Sequence, residues 1–294
     1  MPRARAAAAF PVAALLAGLA FARLAGGQSP EPEDSPDEPA APVPVPPPPS
    51  ASATGSLRPH LPLPAKEGML RLPGGRFTMG SSDPLAMPNE KPPHAVTVGP
   101  FWIDRTEVTV GAYRDCVDRR GCALPAKASA TCTYELGDPE LPVACVRWRD
   151  ADAYCRATGK RLPTEAEWEF AARGPWRFRF PWGGYVTNCA LAATLVRDGT
   201  GRTCTRGRPS KVGVHPLGAS PFGILDMTGN VEEWTQDWYA DGTAEGAAPR
   251  AGASHVLRGG GWLSAPSMSR TTSRDWASVL EAGPNVGFRC ARDG

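Results

Sequence analysis

Only four histidines occur in the 294 residues, none in an H-x-x-x-H spacing, and H-E-x-x-H, G-x-S-x-G, C-x-x-C and glycine-rich phosphate-loop patterns are all missing. These absences remove the signatures of zinc hydrolases, serine hydrolases, zinc ribbons, thioredoxin-type redox sites and nucleotide loops. Charge of one sign is also lacking. The net charge is +2, with acidic and basic residues interspersed, which leaves no electrostatic footprint for nucleic acid. After Phe21 no apolar run is long enough to span a bilayer. No internal repeat is visible at a solenoid period.

What is present falls into three parts. Arg3 and Arg5 precede a nearly unbroken apolar run from Ala6 to Phe21, and small residues follow around Ala25 to Gly27. Residues 1–27 therefore read as a secretory signal peptide; Arg23 cuts the run short of a membrane anchor, and no cysteine follows it to take a lipid. Residues 28–66 are proline, alanine, serine and acidic residues, including Pro46 to Pro49, and predict a disordered, partly polyproline linker. One domain remains, 67–294. All eight cysteines lie in it, an even number in a chain read as secreted or periplasmic, so disulfides are expected, although eight cysteines allow 105 connectivities.

Within the domain, Met69 to Leu72 and Arg76 to Gly80 flank a Gly-Gly turn and predict a β-hairpin. His94 to Asp104, rich in β-branched and aromatic residues, predicts a strand region. Thr109 precedes a helix with Tyr113, Cys116 and Val117 on one face and Gly121 placed to end it. A second helix is predicted over Asp150 to Ala157, burying Ala151, Tyr154 and Cys155. A third follows Thr164, where Thr164 and Glu167 make a capping box. Beyond Gly174 periodicity fades, with short strands indicated only near Val256 and Phe288. Such long ordered loops need disulfides, indole packing or metal ions to fix them.

Seven segments in order carry a family likeness: GGRFTMGS from Gly74, EVTVGAYRDCV from Glu107, GKRLPTEAEWEFAARG from Gly159, FPWG from Phe180, GILDMTGNVEEWTQDWY from Gly223, RGGGW from Arg258 and NVGFRC ending at Cys290. Together they resemble the sulfatase-modifying factor family, whose founding member is the formylglycine-generating enzyme. The resemblance implies an α+β, irregular, loop-rich fold related to the C-type lectin fold, with calcium ions and a disulfide between Cys155 and Cys290. Cys116 with Cys122, Cys132 with Cys145, and Cys189 with Cys204 are further pairings suggested by proximity along the chain.

The family's enzyme converts a sulfatase cysteine to formylglycine with O2 and Cu(I) bound by two cysteines. Those positions fall on Ser264 and Ser269, the serine before them on Gly261, and a histidine on Ala265. Serine is a hard, mostly protonated donor, so copper is not expected here. Met227 and Met268 are soft, but methionine is more often packing than ligand. A serine nucleophile would need a base, and no histidine motif supplies one. Calcium is expected, held by Asp226, the carbonyls of Gly229 and Val231, and Glu233. A second calcium would take Asn188 and the carbonyl of Cys189, with its aspartate partner replaced near Cys204. Most of the nine tryptophans read as core, but Trp262 beside the altered site, with Arg258, Arg270 and Arg274, makes a candidate ligand cleft. The expected function is a binding module for an exported protein, peptide or glycan; the alternative is an enzyme of the same family using another site.

Overall fold

The computed structural model describes residues 68–126, 129–184, 186–242 and 252–294; residues 1–27 and 28–66, expected to be a signal peptide and a linker, lie outside them. The described residues belong to one compact unit, Leu57–Gly294.

Local signals place the helices. Thr109 accepts the Ala112 amide and starts α1, Val110–Asp118, whose buried face carries Val110, Tyr113 and Cys116. The helix stops at Arg119, and the Gly121 amide closes back onto the Cys116 carbonyl. A short α2, Thr133–Leu136, precedes α3, Trp148–Ala157, which buries Ala151, Tyr154 and Cys155. In α4, Glu165–Arg173, the Thr164 hydroxyl accepts from Glu167 N while the Glu167 carboxylate accepts from Thr164 N, closing the expected capping box.

The strands pair over long sequence distances, and here the expected hairpin fails. β1, Met69–Leu72, pairs with β4, Phe101–Asp104, whereas β2, Gly75–Met79, pairs with β3, His94–Val98. Gly74 and Gly75 both hold positive φ and turn the chain from one sheet into another; a Cβ on Gly74 would sit 2.3 Å from the Val98 carbonyl oxygen. The predicted strand region His94 to Asp104 is thus two strands in two sheets. β9, Ala291–Asp293, completes a three-stranded sheet in the order β1-β4-β9. The largest sheet has the order β7-β6-β5-β8, made of Arg274–Ser278, Ser254–Arg258, Glu232–Trp238 and Val286–Gly287. All four of these strands lie in or after the NVEEW motif, within the stretch where periodicity is weakest.

Two apolar clusters fill the domain. One joins α1 and α3 to the large sheet through Tyr113, Tyr154, Leu162, Trp234 and Phe288; the other joins α4 to the small sheets through Leu72, Phe77, Ile103, Trp168 and Phe170. Met227 belongs to the second and is fully buried. Four disulfides, Cys116–Cys122, Cys132–Cys145, Cys155–Cys290 and Cys189–Cys204, use every cysteine.

Of the four, Cys155–Cys290 closes the longest loop, with a separation of 135 residues. On the chain-entropy estimate, a Cys155→Ser/Cys290→Ser variant should lose about 5 kcal/mol. Urea unfolding under oxidising conditions measures it, and a Cys116→Ser/Cys122→Ser variant should lose less.

Candidate functional site

β6 ends at Arg258, and the glycines after it set the geometry of the loop that carries Ser264 and Ser269. Gly259 and Gly260 have φ of +90° and +62°. A Cβ on Gly260 would lie 2.3 Å from the Ser269 hydroxyl, so Ser269 is seated directly against this backbone, fully buried, with its Oγ donating to the Ala265 carbonyl at 3.2 Å. A Cβ on Gly261 would meet Asn285 Oδ1 at 2.2 Å. Asn285 occupies that space, taking the Leu263 amide on its oxygen and donating to Ser264 Oγ at 3.4 Å. Ser264 Oγ also accepts from Gly261 N at 3.0 Å and faces Glu232 Oε1 at 3.5 Å. Both hydroxyls are therefore tied into the loop's own hydrogen bonds.

Met268 is 38% exposed at the rim of this loop. His255 is no base for either serine: it is stacked between Trp148 and Trp238 at 3.9 and 3.8 Å, with Nδ1 on the Asp237 carbonyl. The ionisable group beside Ser264 is Glu232, which sequence reasoning missed. Burial, and then the charge of Asp275, push its pKa up to about 7. The signal was the doublet in NVEEW: on a strand, adjacent glutamates point to opposite faces, so the two cannot share one role.

The proposed cleft of Trp262, Arg258, Arg270 and Arg274 is not a cleft. Trp262 is buried, its Nε1 donating to the Pro284 carbonyl at 2.9 Å. Arg258 is 1% exposed; it pairs with Glu169 and donates to the carbonyls of Thr271, Thr272 and Ser273. Arg270 grips both oxygens of Glu90 at 2.6 and 3.0 Å, and Thr272 adds its hydroxyl at 2.6 Å. Arg274 holds Glu165 through Nε and Nη2 at 2.6 and 3.0 Å, and its other end binds the carbonyls of Asn89, Ala240 and Gly242. A guanidinium has no uncharged state at neutral pH, so inside a protein it must be paired, and carboxylates and carbonyls meet that demand here. Only Arg274 reaches a cavity, a space of about 570 Å³ walled by Met87, Tyr239, Met268 and Trp276.

The calcium candidates fall in a second buried cluster. Glu233 accepts from Arg289 at 2.6 and 2.7 Å and from Trp168 Nε1 at 2.8 Å. Asp226, at positive φ, accepts the Gly213 amide at 2.6 Å. Glu107, from the EVTV segment, was not foreseen; it accepts from Asn230 Nδ2 at 3.0 Å and Val231 N at 3.3 Å. Burial foremost raises the pKa of both Glu107 and Asp226, and for each the nearby negative charges add to it. Three buried carboxylates thus surround one arginine, Arg289. The hydroxyls of Thr194 and Thr228, on either side of the Gly229 turn, are buried without a partner. Excess negative charge and unmet oxygens fit a hard divalent cation, although Glu233 is already held by Arg289. At the second candidate pair, Asn188 Oδ1 accepts the Ala190 amide, and Cys189, whose carbonyl is the expected ligand, is joined through its sulfur to Cys204. Among the described residues, no three His, Cys, Asp or Glu side chains converge at metal-ligand geometry.

Residues 57–294 match the family of the sulfatase-modifying factor enzyme 1-like domain. The chain is 32% identical over 280 residues to the formylglycine-generating enzyme of Streptomyces coelicolor, covering 77% of this chain and 89% of that protein. It is 33% identical over 273 residues to the inactive C-alpha-formylglycine-generating enzyme 2 of Mus musculus, covering 76% and 85%. Among solved structures, PvdO from Pseudomonas aeruginosa superposes with a TM-score of 0.63 at 30% identity, over 77% of this chain and 94% of that one. Treponema denticola variable protein 1 shares the fold, with a TM-score of 0.57 at 22% identity, over 77% and 95%.

Two outcomes follow from the buried charges. Glu169→Ala leaves Arg173 without its carboxylate and Arg258 with only Glu165 at 3.7 Å, and should cost about 3–5 kcal/mol in urea unfolding, whereas Ser264→Ala should cost under about 1 kcal/mol. Asp237, which accepts the Glu165 amide, has its pKa raised from 3.8 to about 6, by burial first and then by the charges of Glu165 and Glu167. The folded state therefore holds a proton that the unfolded chain releases, so this contribution to stability is complete below about pH 4 and is lost as pH rises through about 6. Asp237→Asn should flatten that fall, read as urea midpoints at pH 4.5 and 7.5.

Proposed function

Because the chain belongs to the sulfatase-modifying factor enzyme 1-like family, we propose that it uses the family frame as an exported binding module for a peptide or glycan and lacks the copper-dependent oxidase reaction. The observation that carries this reading is the pair Ser264 and Ser269. Cu(I) prefers soft thiolates, and both positions present hydroxyls already bonded to Gly261, Asn285 and Ala265. No step through copper is derived for this donor set. The mouse relative named as inactive is compatible with a member that has left the chemistry behind.

Export is supported by the apolar N-terminal segment and by four disulfides with no free cysteine among the described residues. No helix of the described residues is long and apolar enough to cross a membrane. Calcium, if bound, would be held by Asp226, the carbonyls of Gly229 and Val231, and Glu233, with Glu107 beside them. Its contribution would be to neutralise the carboxylates and fix the turn from which β5 starts. An enzymatic alternative would use Ser264 with Glu232, but 3.5 Å is long for a nucleophile and its base.

Incubated with Cu(I), O2 and a cysteine-containing sulfatase peptide, the oxidised protein should give no formylglycine by mass spectrometry. Turnover by the unaltered protein would sink the reading. A Ser264→Cys/Ser269→Cys variant restores two thiols, and turnover there would show that the frame still presents the peptide. For calcium, a chelator should lower Tm and added calcium restore it, while Asp226→Asn should be insensitive to both; a Tm unmoved by chelation would remove the ion.

A further inference from the structure

The cavity of about 570 Å³ that Arg274 reaches is assembled from separate stretches of chain: residues 87–89, residues 239–242 after β5, Met268, and residues 274–276 of β7. Arg274 ties the first two to β7, because its Nη1 donates to the carbonyls of Asn89, Ala240 and Gly242 while Glu165 holds its other edge. The walls are therefore set before any ligand arrives. Arg274 and Trp276, two apart on a strand, share a face, and the Tyr239 ring meets both. The indole stacks on that ring at 4.3 Å, and the guanidinium carbon lies 5.2 Å from its centre. Asn89 fixes the far end of the tyrosine, its Nδ2 donating to the hydroxyl at 3.3 Å, and the hydroxyl donates to Asp241 at 3.1 Å.

Three large apolar side chains on this cavity, Met87, Met268 and Trp276, are 47, 38 and 48% exposed. That is apolar surface which the fold itself leaves open. The polar groups beside it are mostly acceptors. Asn89 Oδ1 is buried with no partner among the described residues, and Asp241 is an exposed carboxylate that takes one hydrogen bond, from Tyr239, and has room for more. The donors of Arg274 are occupied, so the indole N–H of Trp276 is the donor the aromatic wall leaves free. A cationic ligand would meet the like charge of Arg274 beside the aromatic pair. A proline-rich peptide would bring carbonyls where donors are wanted. A pyranose ring meets both demands: a face of C–H groups for the indole and the methionines, and a rim of neutral hydroxyls that donate to the acceptors and accept from the indole.

We propose that this cavity is a glycan subsite for a neutral pyranose. It rests on the reading of the domain as a binding module and chooses glycan over peptide as the ligand. The ring packs on Trp276, its edges meet Met87 and Met268, and its hydroxyls bond Asp241 and Asn89.

The test is titration of the oxidised protein with cellotetraose, chitotetraose, mannotetraose and galactotetraose, and with a proline-rich decapeptide and β-phenylethylammonium as the competing chemistries. Calorimetry and the Trp276 indole N–H resonance, assigned through Trp276→Phe, give the readout. Saturable binding of at least one oligosaccharide is expected, with a shift of that resonance and little change with salt. Trp276→Ala and, separately, Asp241→Ala should each weaken it about tenfold with Tm unchanged, because both side chains are exposed. Ser264→Ala, off the cavity, should bind as the unaltered protein does. Absence of saturable oligosaccharide binding, affinity unmoved in both the Trp276 and Asp241 variants, or tighter binding of the peptide or the ammonium at this resonance would overturn the site. An inert oxidase assay together with no oligosaccharide binding would overturn this site alone, while formylglycine formation by the unaltered protein would overturn the reading beneath it.

Discussion

A buried guanidinium facing one carboxylate and several main-chain carbonyls is the unit on which the C-terminal half depends. Arg258, Arg270, Arg274 and Arg289 repeat it with Glu169, Glu90, Glu165 and Glu233. Between Arg258 and Cys290 regular structure is sparse, so most carbonyls there cannot be satisfied by a helix or a full sheet. Arginine supplies the missing donors as a rigid fork, and its carboxylate neutralises it. Such pairs add little net stability, since desolvation offsets attraction. Their effect is positional: each fixes where separate segments of the chain meet.

The loop that carries Ser264 and Ser269 is held in the same way. The RGGG loop is pinned through Arg258 to the carbonyls of residues 271–273, and through Arg270 to Glu90 on a distant loop. None of those contacts involves residue 264 or 269. The shape of the loop therefore rests on the arginines and not on the two serines.

Legibility in the sequence followed the range of the interactions. The capped helices were readable because Thr109 and Thr164 act on amides three residues away. The sheets were not, because the partner of Met69 is Asp104 and the partner of Leu257 is Asp275; a Gly-Gly turn between two short strands looks the same whether they pair or part. All four disulfides were expected, one from the family likeness and three from proximity. The arginines were misjudged as ligand groups because a charged residue in a loop carries no mark of burial. Glu107 and Glu232 were overlooked for the opposite reason, each sitting within a motif noticed for other residues.

The sheet of β1, β4 and β9 joins the first and last strands of the domain, and Cys290, just before β9, is bonded to Cys155. On a ribosome, or while threading through a translocation pore, the chain exposes Met69–Leu72 long before Ala291–Asp293 becomes available. β4 then has one edge open and Cys155 lacks its partner thiol until the last strand of the domain has emerged. Closure of the domain is therefore a late event, completed only once β9 and Cys290 are free to dock, and the waiting thiol and open strand edge are what a chaperone or disulfide isomerase would have to guard.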